Sequence, residues 1–181
     1  SSTGGGEGTS AGGPRSFVPG RQSPDVPPSE GDLVPAFEAL LCTGETLRSR
    51  RLTDALDGGG VLVLLCFAFN PIAENWWKRY EYADRDVLDV PVVGVSRDGP
   101  CAQNAFLWYL DSALRTFSDT DGEATRSFDL LTDREAMAGT STARRAVFVV
   151  DGTGTVTHRW IADDWVSPVP REEIEAAVAA L

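Results

Sequence analysis

The sequence predicts an α/β domain in which a central mixed β-sheet is flanked by helices. Three observations carry that expectation. Residues 61–68 (VLVLLCFA) are continuously apolar and rich in β-formers, as expected of a strand covered on both faces. Ile72, Trp76, Tyr80, Ala83 and Val87 then recur at helical spacing, and a second apolar run follows at residues 90–95. Strand, helix, strand in that order implies a right-handed crossover and a parallel pair. Finally, residues 146–150 form an apolar strand, Asp151-Gly152-Thr153-Gly154 a turn, and residues 155–160 an alternating return strand. That antiparallel hairpin makes the sheet mixed.

The remaining elements fall around this core. Residues 1–31 are rich in Gly, Ser and Pro, with Phe17, Val18 and Val26 as their sizeable apolar groups. They bury too little surface to offset their ordering entropy and read as a disordered leader, with the domain at 32–181. Phe37, Leu40 and Leu41, followed by Thr43-Gly44-Glu45-Thr46-Leu47, predict an opening hairpin. Residues 52–56 predict a short helix stopped by Gly58-Gly59-Gly60. Gly99-Pro100 opens a helix, since proline suits a first turn, with Ala102, Ala105 or Phe106, Tyr109 and Ala113 on its apolar face. A closing helix follows Pro170, with Glu172 and Glu173 in its first turn and Ile174, Ala177, Val178 and Leu181 facing inward. A βαβ half followed by a hairpin and a terminal helix is the order of the thioredoxin fold.

Charge narrows the function classes. Twenty-seven acidic residues against sixteen basic ones give a net charge of −11, and Lys78 is the single lysine. Such a surface repels nucleic-acid phosphate and anionic lipid, so neither is an expected partner. It suits concentrated salt, where counterions screen self-repulsion, and points to a salt-loving microbial cytoplasm. The longest apolar stretch, residues 61–69, falls far short of the roughly 20 residues a membrane helix needs. The first residues lack the basic and apolar parts of a secretory signal. Cys42, Cys66 and Cys101 are too few and too scattered for a disulfide scaffold or a zinc site, and no CxxC occurs. No metal and no cofactor is expected.

Several segments resemble the alkyl hydroperoxide reductase and thiol-specific antioxidant branch of the peroxiredoxins. They are the apolar strand running into Phe69-Asn70-Pro71, the exit Val92-Val93-Gly94-Val95-Ser96-Arg97-Asp98, Phe117-Ser118-Asp119 with Asp121-Gly122-Glu123, and Arg144-Arg145-Ala146-Val147-Phe148-Val149-Val150-Asp151 followed by Gly154 and Trp160. The resemblance implies an antioxidant oxidoreductase that reduces hydroperoxides with thiols: a thiolate attacks peroxide, becomes a sulfenic acid and is resolved by another thiol. The family motif is P-x-x-x-T/S-x-x-C, with a distant arginine that holds the thiolate and polarises the peroxide. Pro71 matches the proline and Arg145 the arginine. Counting from Pro71 puts Asn75 at the hydroxyl position and Lys78 at the cysteine. A C-x-x-C alignment lands on Pro71-Ile72-Ala73-Glu74. Neither register supplies a nucleophile.

The candidates left are therefore weighed one by one. Cys101 in a helix's first turn meets unpaired N–H groups and the dipole, which favour a thiolate, with Arg97 assisting and Asp98 opposing. Cys66 reads as an inert core residue and Cys42 as a peripheral thiol able to resolve a sulfenic acid. Arg145 is either a small-anion or peroxide contact or a salt-bridged strand-start arginine. Pro71, Glu74, Asn75 and Lys78 form either a polar pocket or a solvated helix start. Trp76 and Trp77 cannot both face inward, which suggests an interface, and a homodimer is one expectation. His158, in phase with Val156 and Trp160, reads as a buried, hydrogen-bonded imidazole. Two functions stand: thiol-dependent peroxide reduction, weakened, lost or rerouted through Cys101 with a thiol reductant as partner, and a redox-inactive binding or assembly module.

Overall fold

A computed structural model of the chain describes residues 26–69, 88, 90–164 and 166–181. The opening hairpin forms as expected: β1 (Glu38–Cys42) pairs antiparallel with β2 (Leu47–Arg51), whose five residues are all exposed. The short helix α1 (Leu52–Ala55) leads to β3 (Gly60–Leu64). Next come β4 (Val92–Ser96), α2 (Pro100–Leu110), β5 (Arg115–Ser118) and α3 (Glu123–Ser127). A small separate hairpin of β6 (Leu131–Arg134) and β7 (Thr140–Ala143) precedes β8 (Ala146–Val150), β9 (Val156–Ile161) and α4 (Arg171–Ala179).

Seven strands form the main sheet in the order β2-β1-β5-β4-β3-β8-β9. β3, β4 and β5 run parallel, and β1 and β8 run antiparallel to their neighbours in this group. This is the mixed, helix-flanked sheet the sequence predicts. β3 and β8 are buried along their whole length because alternate side chains feed two separate cores. Leu62, Leu64, Val93, Val95 and Phe148 face one, together with Phe37, Phe117 and Phe128. Val61, Val63, Val147 and Val149 face the other, which Phe106 of α2 and Ile174 and Val178 of α4 cover. Gly60 starts β3 for a steric reason: a Cβ there would stand 2.4 Å from the Pro91 carbonyl oxygen.

Four expectations need correction. The apolar run predicts a strand to residue 68, but β3 stops at Leu64. Leu65 still donates its N–H to Val95 O (2.8 Å), and then the Asp98 carboxylate draws the chain out of the sheet by accepting the Ala68 N–H at 2.8 Å. The inner face of α2 is Gln103, Phe106, Leu107 and Leu110, so Tyr109 lies outside it and is exposed, and Ala113 falls beyond the helix. A polar residue leads that face because Gln103 Nε2 donates to Ser96 Oγ (2.6 Å), Ser96 O (3.3 Å) and Phe117 O (3.2 Å). Leu181 lies past the end of α4 and is exposed rather than inward. Lastly, residues 27–34 are bonded to the rim of β9. Gly31 N donates to Val156 O and Val34 N to Gly154 O, both at 2.8 Å, and Arg159 donates to the Pro27 and Pro28 carbonyls. Residues 1–25 of the expected leader and the helix expected after residue 70 lie outside the described residues.

Candidate functional site

Parallel strands bring their C-terminal ends to one pole, so the segments leaving β3, β4 and β5 meet there. β8, antiparallel to β3, begins at the same pole. Leu64 pairs with Ala146, which sets Arg145 and the chain leaving β3 toward Cys66 side by side. Asp98 fastens this pole: besides the Ala68 N–H, its Oδ2 accepts the Ser96 hydroxyl at 2.6 Å, and its carbonyl accepts the Ser118 hydroxyl at 2.6 Å.

On one side lies the start of α2. Gly99 caps the helix in an extended conformation and Pro100 occupies its first position, so Cys101 stands in the first turn, as predicted. Its side chain is exposed. Arg97, expected to assist it, instead donates to Ser141 O and Thr120 O, both at 2.8 Å, which commits its guanidinium to backbone carbonyls. Beneath this turn sits Cys42. Its thiol is 0 % exposed and lies 3.7 Å from the Pro100 carbonyl oxygen and 3.9 Å from that of Leu40. Burial, and then the charge of Cys101, push the Cys42 thiol up from 9.0 to about 11, so it stays protonated at neutral pH.

On the other side lies Cys66. It is buried, as expected, but its surroundings are polar: the thiol sits 3.5 Å from Thr142 Oγ1, which also accepts from Arg134 Nε at 3.0 Å. Arg145 is 9 % exposed. It donates to Ser167 O at 2.8 Å, and its guanidinium carbon lies 5.5 Å from the centre of the Trp160 ring, a cation–π contact. Burial lowers its pKa, while Asp164 and Cys66 push it back up. Asp164 in turn is held below the usual carboxylate range by the Ser167 hydroxyl, by the Ser167 and Val166 N–H groups and by Arg145. The fold thus brings Arg145 to Cys66, while Cys101 is partnered by Cys42.

Pro71, Glu74, Asn75 and Lys78 lie outside the described residues, as do Trp76 and Trp77. A second register of the thiol motif starts at Cys66, which leaves the sheet beside Arg145. It puts Asn70 at the hydroxyl position and Ala73 at the thiol position, again without a cysteine. His158 differs from its expected buried, hydrogen-bonded state. It is part-exposed, with Nδ1 3.7 Å from Glu30 and Nε2 3.7 Å from Glu173. Thr142 and Arg134 escaped the sequence reading because the β6–β7 hairpin that carries them has no apolar periodicity to announce it. Among the described residues no cluster of His, Cys, Asp and Glu is placed to hold a metal ion, and no helix is long and apolar enough to cross a membrane.

The chain resembles the solved structures of AhpC from Mycobacterium tuberculosis (TM-score 0.71, 15 % identity, 85 % of this chain and 93 % of that one) and Peroxidoxin BcpB from the same organism (TM-score 0.70, 23 % identity, 85 % and 98 %). It also resembles AhpC from Enterococcus faecalis (TM-score 0.68, 20 % identity, 83 % and 91 %). At these identities the likeness establishes the peroxiredoxin form of the thioredoxin fold. Comparison with curated proteins finds no match. The model of the AhpC/TSA family matches residues 31–159, from the segment bonded to β9 into β9 itself, and the chain belongs to that family.

Proposed function

We propose that this protein is a thiol-dependent oxidoreductase of the peroxiredoxin type that reduces hydroperoxides through Cys101, far more slowly than relatives that keep the family's thiol. The observation that carries this reading is the exposed Cys101 sulfur in the first turn of an eleven-residue helix, at the pole where the family's arginine also sits. An exposed thiol there meets dissolved peroxide, and the helix's free N–H groups stabilise the attacking sulfur's negative charge. The low rate follows from sequence, since Lys78 and Ala73 stand where the two registers of the motif place the nucleophile. A small-molecule thiol returns the oxidised sulfur to its reduced state, in a reducing cytoplasm.

A second reading, a redox-inactive binding module, draws on Arg145. Its guanidinium is already engaged by Ser167 O and Trp160, as in a structural arginine. In that reading, a small anion takes the side of Arg145 that faces Cys66. The exposed aromatic pair of Phe69 and Tyr109, with Phe69 packed edge-on to the buried Phe106, is the surface a homodimer would use. Peroxide consumption by the wild type and by Cys42→Ser, Cys66→Ser and Cys101→Ser decides between the readings. We expect slow turnover that only Cys101→Ser abolishes outright. Turnover that survives Cys101→Ser and dies with Cys66→Ser overturns the assignment of the sulfur, and no turnover in the wild type favours the module.

A further inference from the structure

We infer that Cys42 and Cys101 form an intramolecular disulfide when the protein is oxidised, a latch joining the end of β1 to the first turn of α2. The inference rests on the reading that Cys101 is the reactive thiol. Its basis is packing. The Cys42 sulfur lies 3.7 Å from the carbonyl oxygen of Pro100, the residue bonded to Cys101. One turn further along the helix, Asn104 Oδ1 accepts the Gly44 N–H at 2.9 Å. Residues 42 and 44 are therefore held against residues 100 and 104, and Cys101 lies between the two anchor points. The exposed Cys101 and the buried Cys42 also feel one another electrostatically. Cys66 is engaged elsewhere, its buried sulfur 3.5 Å from Thr142 Oγ1. A disulfide requires Cα atoms about 4.4–6.8 Å apart, so closure must bring residues 42 and 101 to that separation with their sulfurs facing one another.

The chemistry balances with a hydroperoxide as oxidant. The Cys101 thiolate attacks the distal peroxide oxygen; an S–O bond forms, the O–O bond breaks, and the departing alkoxide takes a proton to leave as an alcohol. Cys42 sulfur then attacks the Cys101 sulfur; an S–S bond forms, the S–O bond breaks, and the hydroxide leaves as water with the Cys42 proton. Two thiols are oxidised and one hydroperoxide is reduced. Because Cys42 holds its proton at neutral pH, only its small thiolate fraction attacks, which slows the second step.

The test treats the full chain with hydrogen peroxide in one arm and with hydroxyethyl disulfide in another. Remaining thiols are then alkylated in denaturant, and a non-reducing digest is read by mass spectrometry. The expected product is a Cys42–Cys101 cross-linked peptide, with both residues lost from the alkylated pool. It should persist in Cys66→Ser and vanish in Cys101→Ser, a change at an exposed position that leaves the fold intact. A link that appears with the small disulfide but not with peroxide upholds the latch while removing the peroxide reading. Cys101 recovered as a sulfinic acid or a mixed disulfide, with Cys42 still alkylated, overturns the latch even if peroxide is consumed.

Discussion

Replacing Asp119 by alanine should cost more stability than any other single polar substitution near the site. The residue is 2 % exposed, at the exit of β5. Its Oδ1 accepts the Ala124 N–H at 3.0 Å, and its Oδ2 accepts the Thr125 N–H at 2.8 Å and the Thr125 hydroxyl at 2.6 Å. Those are free donors of α3's first turn, so the carboxylate serves as the cap that Gly122, at the formal cap position, has no side chain to provide. A hydrogen bond to a charged group is worth about 1.5–3 kcal/mol, and donors left unsatisfied in a buried place add their own desolvation cost. The three bonds share one carboxylate and do not add fully, so Asp119→Ala should lose about 3–5 kcal/mol. That is a large share of the roughly 5–15 kcal/mol that holds a domain folded. Asp119→Asn keeps one acceptor oxygen and should lose about half as much. Urea unfolding followed by circular dichroism measures both. An alanine variant within about 1 kcal/mol of wild type, or an asparagine variant as damaged as the alanine one, refutes the capping argument.

Four further outcomes follow from the sequence and the structure together. At neutral pH Cys101 should be alkylated first, with Cys42 and Cys66 reacting only as the protein opens, and residue-resolved mass spectrometry reads the order. The Cys42 thiol also sets an alkaline limit. The unfolded chain releases this proton near 9.0 while the folded chain keeps it to about 11, so the folded state binds more protons in that window and stability should fall as pH climbs through it, by on the order of 2–3 kcal/mol, as unfolding midpoints against pH will show. The surplus of 27 acidic over 16 basic residues should make the melting temperature rise as salt is added from low concentration, and a flat curve would count against adaptation to salt. If the thiol motif starts at Cys66, Ala73→Cys should speed peroxide reduction at least about tenfold, about 1.4 kcal/mol off the barrier, while Lys78→Cys should not; the reverse result restores the register that starts at Pro71.

The central strands β3, β4 and β8 are the most legible part of the sequence because each lies in a continuous apolar run with a single explanation. β8 and the β8–β9 hairpin coincide with residues 146–150 and the Asp151–Gly154 turn. The inner face of α2 was misread because Gln103 sits where an apolar residue was sought, and only tertiary partners on β4 and β5 explain a buried amide there. β5 reads as a motif and not as a strand, since four residues with three polar side chains carry little periodicity. At the site, the sequence placed Cys101 in a first turn correctly from Gly99-Pro100 alone. It gave no sign that Cys42, 59 positions earlier, packs beneath that turn, because such contacts are created by the order of strands across the sheet. Likewise, the polar setting of Cys66 depends on Thr142, from a hairpin outside the main sheet.

The two rims of the sheet are guarded against stray pairing in different ways. A strand rim offers unpaired N–H and C=O groups to any other strand it meets, which invites aggregation or swapping between copies. At β9 the chain's own residues 31–34 lie across part of that rim and occupy it. Among the described residues β2 has no such cover. Its five exposed residues are Leu47-Arg48-Ser49-Arg50-Arg51, and two copies approaching rim to rim would bring arginines against arginines. In a molecule of net charge −11 this is a local concentration of positive charge, strongest against its own image and attractive to the acidic remainder of a neighbour. Added salt therefore screens two opposed effects at once: the repulsions that keep whole molecules and their β2 rims apart, and the attraction of a β2 rim for a neighbour's acidic surface.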